Sequence, residues 1–270
     1  MFVAGTSTHK VGEVAQTLLG VAPSASTISR LNQTLTQQFE AWRERPLQEH
    51  WRILYLDGIH FSIRHGDKTD STIILTALGV DLAGNKEVLA LRACAEESKD
   101  GWVCLLQDLR RRGAIQIDLI VTDGHDGLLA AVSALFSPTP GQRRLVHKRR
   151  NVLNAIPRRE RGEVQAELDG IWSQPTKPEA VAQLAIFKAK YSKRYPEAVR
   201  SLAEDEENTF TFFAFPQRMH RHIQTTNAIE SLFSNVRERT DQIDAFTTET
   251  SCLTIVWATM QDIRLHKISV

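Results

Sequence analysis

Two apolar runs in this chain close on the same dipeptide, and that constrains its fold more than any other feature. Ile53-Leu54-Tyr55-Leu56 leads into Asp57-Gly58, and Ile117-Asp118-Leu119-Ile120-Val121-Thr122 leads into Asp123-Gly124. Buried strands that each end in Asp-Gly deliver two carboxylates to the carboxyl edge of a sheet, where open α/β folds place their ligands. A third acid, Glu230, stands at the mouth of a later helix in Thr225-Thr226-Asn227-Ala228-Ile229-Glu230. Three carboxylates so gathered form an oxygen-rich nest for a hard divalent cation such as magnesium, the pattern of a phosphodiester-processing metalloenzyme. Each residue alone has a plainer reading. An aspartate before glycine is a common turn residue, and a glutamate three positions after Asn227 suits a helix N-terminal cap.

The remaining pattern supports mixed α/β. Val11, Val14, Ala15, Leu18 and Leu19 share one helical face, and Ile28, Leu31, Leu35, Phe39 and Trp42 mark a second helix reaching about Arg45. The pair is either a DNA-reading helix-turn-helix or a packing hairpin. Strands are expected at Ile53–Leu56, Phe61–Arg64, Thr72–Val80, Glu87–Arg92, Ile117–Thr122 and Leu145–His147, with turns at Gly58, Gly66 and Gly84-Asn85. Helices are expected over Gly101–Arg112 and Gly127–Phe136. From about Arg149 to Asn208 the chain reads as helical, punctuated by Pro157, Pro175 and Pro178 and closed by Glu204-Asp205-Glu206-Glu207. On the helix of Glu230, Ile229, Leu232, Phe233 and Val236 form the buried face, and Asn227, Glu230, Ser234 and Arg237 an adjoining polar stripe.

A net charge of +1 calls for no polyanionic partner, but the distribution does. Arg143, Arg144, Lys148, Arg149, Arg150, Arg158, Arg159 and Arg161 crowd one stretch and are opposed only by Glu160. Such a run is either a footprint for phosphates or a solvated helix face. Cys94, Cys104 and Cys252 are widely spaced and odd in number, which suggests reduced, mostly buried thiols. No run approaches a membrane span and the N-terminus lacks a signal-peptide core, so a cytoplasmic, nucleoid-associated protein is expected.

The segments YLDGIHFSIRHG, LIVTDGHDGL, RRLVHKRRNVLNAIP and IQTTNAIESLFSNVRERT resemble, in order, successive blocks of the Mutator-like transposases of bacterial insertion sequences. The resemblance implies a ribonuclease-H-like domain over residues 48–270 with an all-helical insertion at about 149–215, after a helical segment 1–47 left from the DNA-binding region. It implies a DDE enzyme with Asp57, Asp123 and Glu230 as catalytic metal ligands and two magnesium ions, replaceable by manganese. The chain would cut DNA at the element's terminal inverted repeats and transfer the freed 3′ ends into target DNA, as a homo-oligomer with no membrane partner. His147, Lys148, Arg149, Arg150, Arg158, Arg159, Arg237 and Arg239 would contact DNA, and His60 and His125 would sit just outside the ligands. The family's Cys-x-x-His motif departs here, with Arg144 in the cysteine's place before His147. The start of the chain resembles an interior stretch of the family's end-recognition region. A shortened reading frame with poor discrimination of transposon ends is therefore expected. Two rivals remain: a remnant that binds DNA without transposing, and an unrelated metal-dependent phosphohydrolase. The latter would need neither the basic stretch nor the TTNAIE helix.

Overall fold

The computed structural model describes residues 24–65, 68–225 and 227–270. The helix expected around Val11 to Leu19 and the turn at Gly66 lie outside the described residues. The first described helix, α1 (Ala25–Glu44), starts where Ser24 accepts a hydrogen bond from the Thr27 N–H at 3.1 Å. Among the described side chains of its stripe, burial increases toward the C-terminal end. Leu31 is 59% exposed, whereas Phe39 is fully buried with its ring centre 5.9 Å from that of Trp257.

A five-stranded mixed sheet carries the centre. In chain order its strands are β2 (Ile53–His65), β3 (Lys68–Val80), β4 (Lys86–Cys94), β6 (Ile120–Thr122) and β7 (Gly141–Arg143). Their spatial order is β4-β3-β2-β6-β7. The first three pair antiparallel, and β6 and β7 add on in parallel beyond β2. A separate parallel pair, β1 (His50–Trp51) and β5 (Gln116–Ile117), flanks it. The run expected as one strand from Ile117 to Thr122 is therefore split. Asp118 breaks it by drawing in His50 Nε2 and Arg52 Nη1, each at 2.7 Å.

Two further expectations need correcting. Ile53–Leu56 and Phe61–Arg64 are one strand, so Asp57 lies within β2, opposite Thr76, rather than at a strand end. Gly58 makes no turn. A Cβ there would stand 2.4 Å from Ile73 Cδ1, so glycine lets β3 approach closely. Leu145–His147 is the start of a helix, and the strand precedes it at Gly141–Arg143. Leu145, Lys148 and Val152 are buried at helical spacing, and that periodicity overrides the strand preference of three residues.

Helices cover both faces of the sheet. Even-numbered Leu54 and Leu56 of β2 pack with α2 (Lys99–Arg111) and α3 (Asp126–Phe136). Odd-numbered Ile53, Tyr55, Ile59 and Ile63 belong to the larger core on the other side. That core takes in α4 (Leu145–Asn154), α5 (Arg161–Trp172), α6 (Lys177–Tyr191) and α7 (Pro196–Ala203). The chain then runs through α8 (Glu206–Thr209), α9 (Gln217–Ile223), α10 (Asn227–Thr240) and α11 (Glu249–Gln261). Of the three cysteines, all free, only Cys252 is buried; Cys104 is exposed.

Candidate active site

The sheet register gathers the acids. Leu54 pairs with Ile120 and Tyr55 with Val121, so two positions further on Asp57 stands level with Asp123. Thr122 pairs with Arg143, which brings Arg144, just past the end of β7, level with Asp123. Being odd-numbered, Asp57 faces the larger core, the side on which α10 packs. Ile229, Leu232, Phe233 and Val236 anchor α10, and their burial, worth about 1.5–3 kcal/mol each, fixes the helix that carries Glu230. Its entry is pinned from the sheet side: Tyr55 Oη donates to the His222 carbonyl at 2.8 Å, and the Leu145 N–H to the Gln224 carbonyl at 3.2 Å.

One guanidinium joins these elements. Arg144 Nη2 donates to Asp57 Oδ2 at 2.7 Å and lies 3.5 Å from Glu230 Oε1, with its side chain 2% exposed. Burial pushes the Asp57 carboxyl up to about 6. The Arg144 charge and the Gly58 N–H pull it back, while the Asp123 and Glu97 carboxylates add to the rise. Asp123 caps its own turn by accepting the His125 N–H at 3.1 Å. The intervening Gly124 has φ +84°, and a Cβ there would meet Arg143 Nη1 at 2.3 Å. Among the described residues, no three His, Cys, Asp or Glu side chains already stand close enough to share a metal ion.

Glu97 is an acid that the sequence pattern leaves unmarked. It accepts from Trp102 Nε1 at 3.0 Å and lies 3.9 Å from His125 Nδ1, close enough to Asp57 to raise its carboxyl. Next to Ser98, the cap of α2, it reads in sequence as a helix-start residue, so no local signal singles it out. His147 Nε2 approaches Glu230 Oε1 at 3.8 Å; burial, then the Arg144 and Arg150 charges, holds its imidazole below the usual value.

The basic run does not form one face. Arg144 and Lys148 are buried, and Lys148 Nζ donates to the Ser201 and Glu204 carbonyls. Arg143 meets Asp205 at 3.5 Å and Arg149 meets Asp169 at 2.7 Å. Arg150, Arg158 and Arg159 remain exposed. A different cationic surface runs along α10, a groove of about 560 Å³ lined by Lys86, Arg221, Arg239 and Arg264 with Asn227, Ser231 and Asn235. None of its described lining residues is acidic, though Arg239 is paired with Asp262 at 2.6 Å. Burial, then the Arg221 and Lys86 charges, depresses the His222 imidazole in this groove, a sign of its positive field.

Residues 1–267 match the family model described as Transposase, Mutator family. The chain belongs to the Mutator family of transposases. It is 35% identical over 258 residues to the transposase for insertion sequence element ISRM5 of Rhizobium meliloti, covering 96% of this chain and 65% of that one. It is 29% identical to the transposase for IS905 of Lactococcus lactis, covering 92% and 63%. Against the transposase for IS6120 of Mycolicibacterium smegmatis the identity is 32%, with 89% and 75% covered. The chain thus spans less than two thirds of the length of the first two relatives. A solved Drosophila P element transposase strand transfer complex is similar over 97% of this chain and 92% of that one, with 11% identity and a TM-score of 0.43.

Where the family resemblance sets a cysteine and, three positions on, a histidine, the structure has Arg144 and His147, both beside Glu230. No described helix of this transposase-family chain is long and apolar enough to cross a membrane.

Proposed function

We propose that this chain carries the catalytic part of an insertion-sequence transposase, which cuts DNA at the element's terminal repeats and joins the freed 3′ ends to target DNA. The observation behind this reading is Asp57 on β2 level with Asp123 just past the end of the adjacent parallel β6, with the Glu230 helix packed on the same side, in a chain of the Mutator family. Three antiparallel strands, with two parallel ones added beyond the first, support assigning residues 48–270 to the ribonuclease-H-like class. The helices over about 149–215 then form an insertion ahead of the glutamate helix.

Asp57, Asp123 and Glu230 would hold two magnesium ions, or manganese in their place. Carboxylate oxygens suit such hard cations, and a single guanidinium already reaches both Asp57 and Glu230. When bound, the metal lowers the pKa of the attacking hydroxyl and stabilises the departing oxygen. The α10 groove would carry the phosphate backbone toward Glu230, with Arg237 and Arg239 on the same helix. His147, Arg150, Arg158 and Arg159 would add contacts, and the chain would act as a homo-oligomer on DNA.

A plasmid-nicking assay tests the reading. Asp57→Asn, Asp123→Asn and Glu230→Gln should each abolish cleavage while the chain stays folded, and Glu238→Gln, exposed on the same helix, should retain it. Wild-type nicking by Glu230→Gln would remove it from the site and with it the three-acid assignment. The Arg144–Asp57 contact favours a second reading, a chain that holds DNA without cutting it. DNA binding without any nicking by the natural sequence would select that one.

A further inference from the structure

We propose that Arg144 is the resident counter-cation of this acidic centre: it holds Asp57 and Glu230 together when no metal is bound, and a divalent ion must displace it to load. The inference rests on the metal reading above and adds to it a built-in competitor. Arg144 Nη2 is 2.7 Å from Asp57 Oδ2 and 3.5 Å from Glu230 Oε1, so its guanidinium uses the carboxylate oxygens that a shared ion would need. Magnesium binds such oxygens at about 2.0–2.1 Å, and an ion shared between Asp57 and Glu230 would compete with the guanidinium for the lone pairs that now face it.

Arg144 is held to this place. Its N–H donates to the Thr122 carbonyl at 3.0 Å, and it forms the joint between β7 and α4 with its side chain buried. Two functions follow from one side chain. Without metal, the like charges of Asp57 and Glu230 are bridged rather than left to repel, and the pocket stays packed. With metal, that bridge is broken, so the site loads only at higher ion concentration than carboxylates alone would need. A site built this way is ordered before it is loaded, and loading becomes the controlled step.

Calorimetric titration of the full chain with manganese chloride, without DNA, and thermal melts with and without the ion test this. The natural chain should bind weakly and its melting temperature should barely move with metal. Arg144→Met should melt lower without metal, rise more when metal is added, and bind manganese at least tenfold more tightly. Adding Asp57→Asn to that variant should cancel the gain. Where Arg144→Met does not fold, Arg144→Gln keeps an amide donor for Asp57 without the charge and should show the same tightening. Equal affinity in the natural and neutral-144 chains, abolished in both with Asp57→Asn, would overturn the role of Arg144 and leave the metal reading standing. Absence of binding in every variant would overturn both.

Discussion

The basic run of residues 143–161 and the groove along α10 make opposite use of positive charge. The run is contiguous in sequence and dispersed in space. Arg144 turns inward to Asp57, Lys148 is committed to two carbonyls, and Arg143 and Arg149 are paired with Asp205 and Asp169. The acidic stretch Glu204 to Glu207 absorbs much of the surrounding charge, with Glu206 taking Lys188 and Glu207 taking Lys177. The groove is the reverse. Lys86, Arg221, Arg239 and Arg264 come from distant parts of the chain and share a surface with no acidic lining among the described residues. A cation advertises a partner only when the fold leaves its charge unanswered. Density along the chain says little about that.

The largest effect that would sharpen this contrast lies at the buried end of the run. Because burial outweighs the pull of Arg144, the folded Asp57 carboxyl holds its proton more tightly than the ordinary value of 3.8, up to about 6. Its contribution to stability is therefore full below pH 4 and is lost as the pH rises through about 6. At 1.36 kcal/mol per unit, Asp57→Asn should gain up to about 3 kcal/mol relative to the natural chain between pH 4 and 8 without metal. Urea denaturation across that range measures it. A difference independent of pH would mean that Arg144 neutralises Asp57 completely.

Next in size is Lys148→Met. Two part-buried carbonyls lose their donor, which at about 0.5–1.5 kcal/mol for each hydrogen bond should cost about 1–3 kcal/mol of stability. The salt dependence of DNA binding should not change, whereas a phosphate contact would show as a shallower slope. In the groove the expectation reverses. Arg221→Glu with Arg264→Glu should weaken duplex binding at least tenfold, and the alanine pair should flatten the plot of log affinity against log salt by about 0.9 for each phosphate no longer neutralised. Fluorescence anisotropy over a salt series reads both, and near-normal affinity of the charge-reversed pair would remove the groove from the DNA path. The smallest effect belongs to the exposed remainder of the run. Arg150→Ala, Arg158→Ala and Arg159→Ala together should lower affinity less than the groove pair does. A larger drop would invert the comparison.

Much of the element order was legible because periodicity is local. The stripe Ile229, Leu232, Phe233 and Val236 placed α10 and set Glu230 beside a buried face, and all four are buried. Asp57 and Asp123 were visible because each follows an apolar run, although Asp57 proved to lie inside a strand. Gly58 misled because the same residue serves a turn or a tight strand approach, and only the position of Ile73 on β3 distinguishes them. Glu97 was silent, since its role depends on Asp57 lying nearby across the fold.

The sequence by itself determined which residues could carry charge to a site and which faces of the helices would be buried, because side-chain spacing and polarity are properties of neighbours along the chain. Tertiary structure alone decided which charges meet. The parallel register of β2, β6 and β7 set Asp57, Asp123 and Arg144 in one row. The packing of α10 brought Glu230 to 3.5 Å from that arginine. Electrostatic energy depends on distance and burial, and neither is written in the order of the residues.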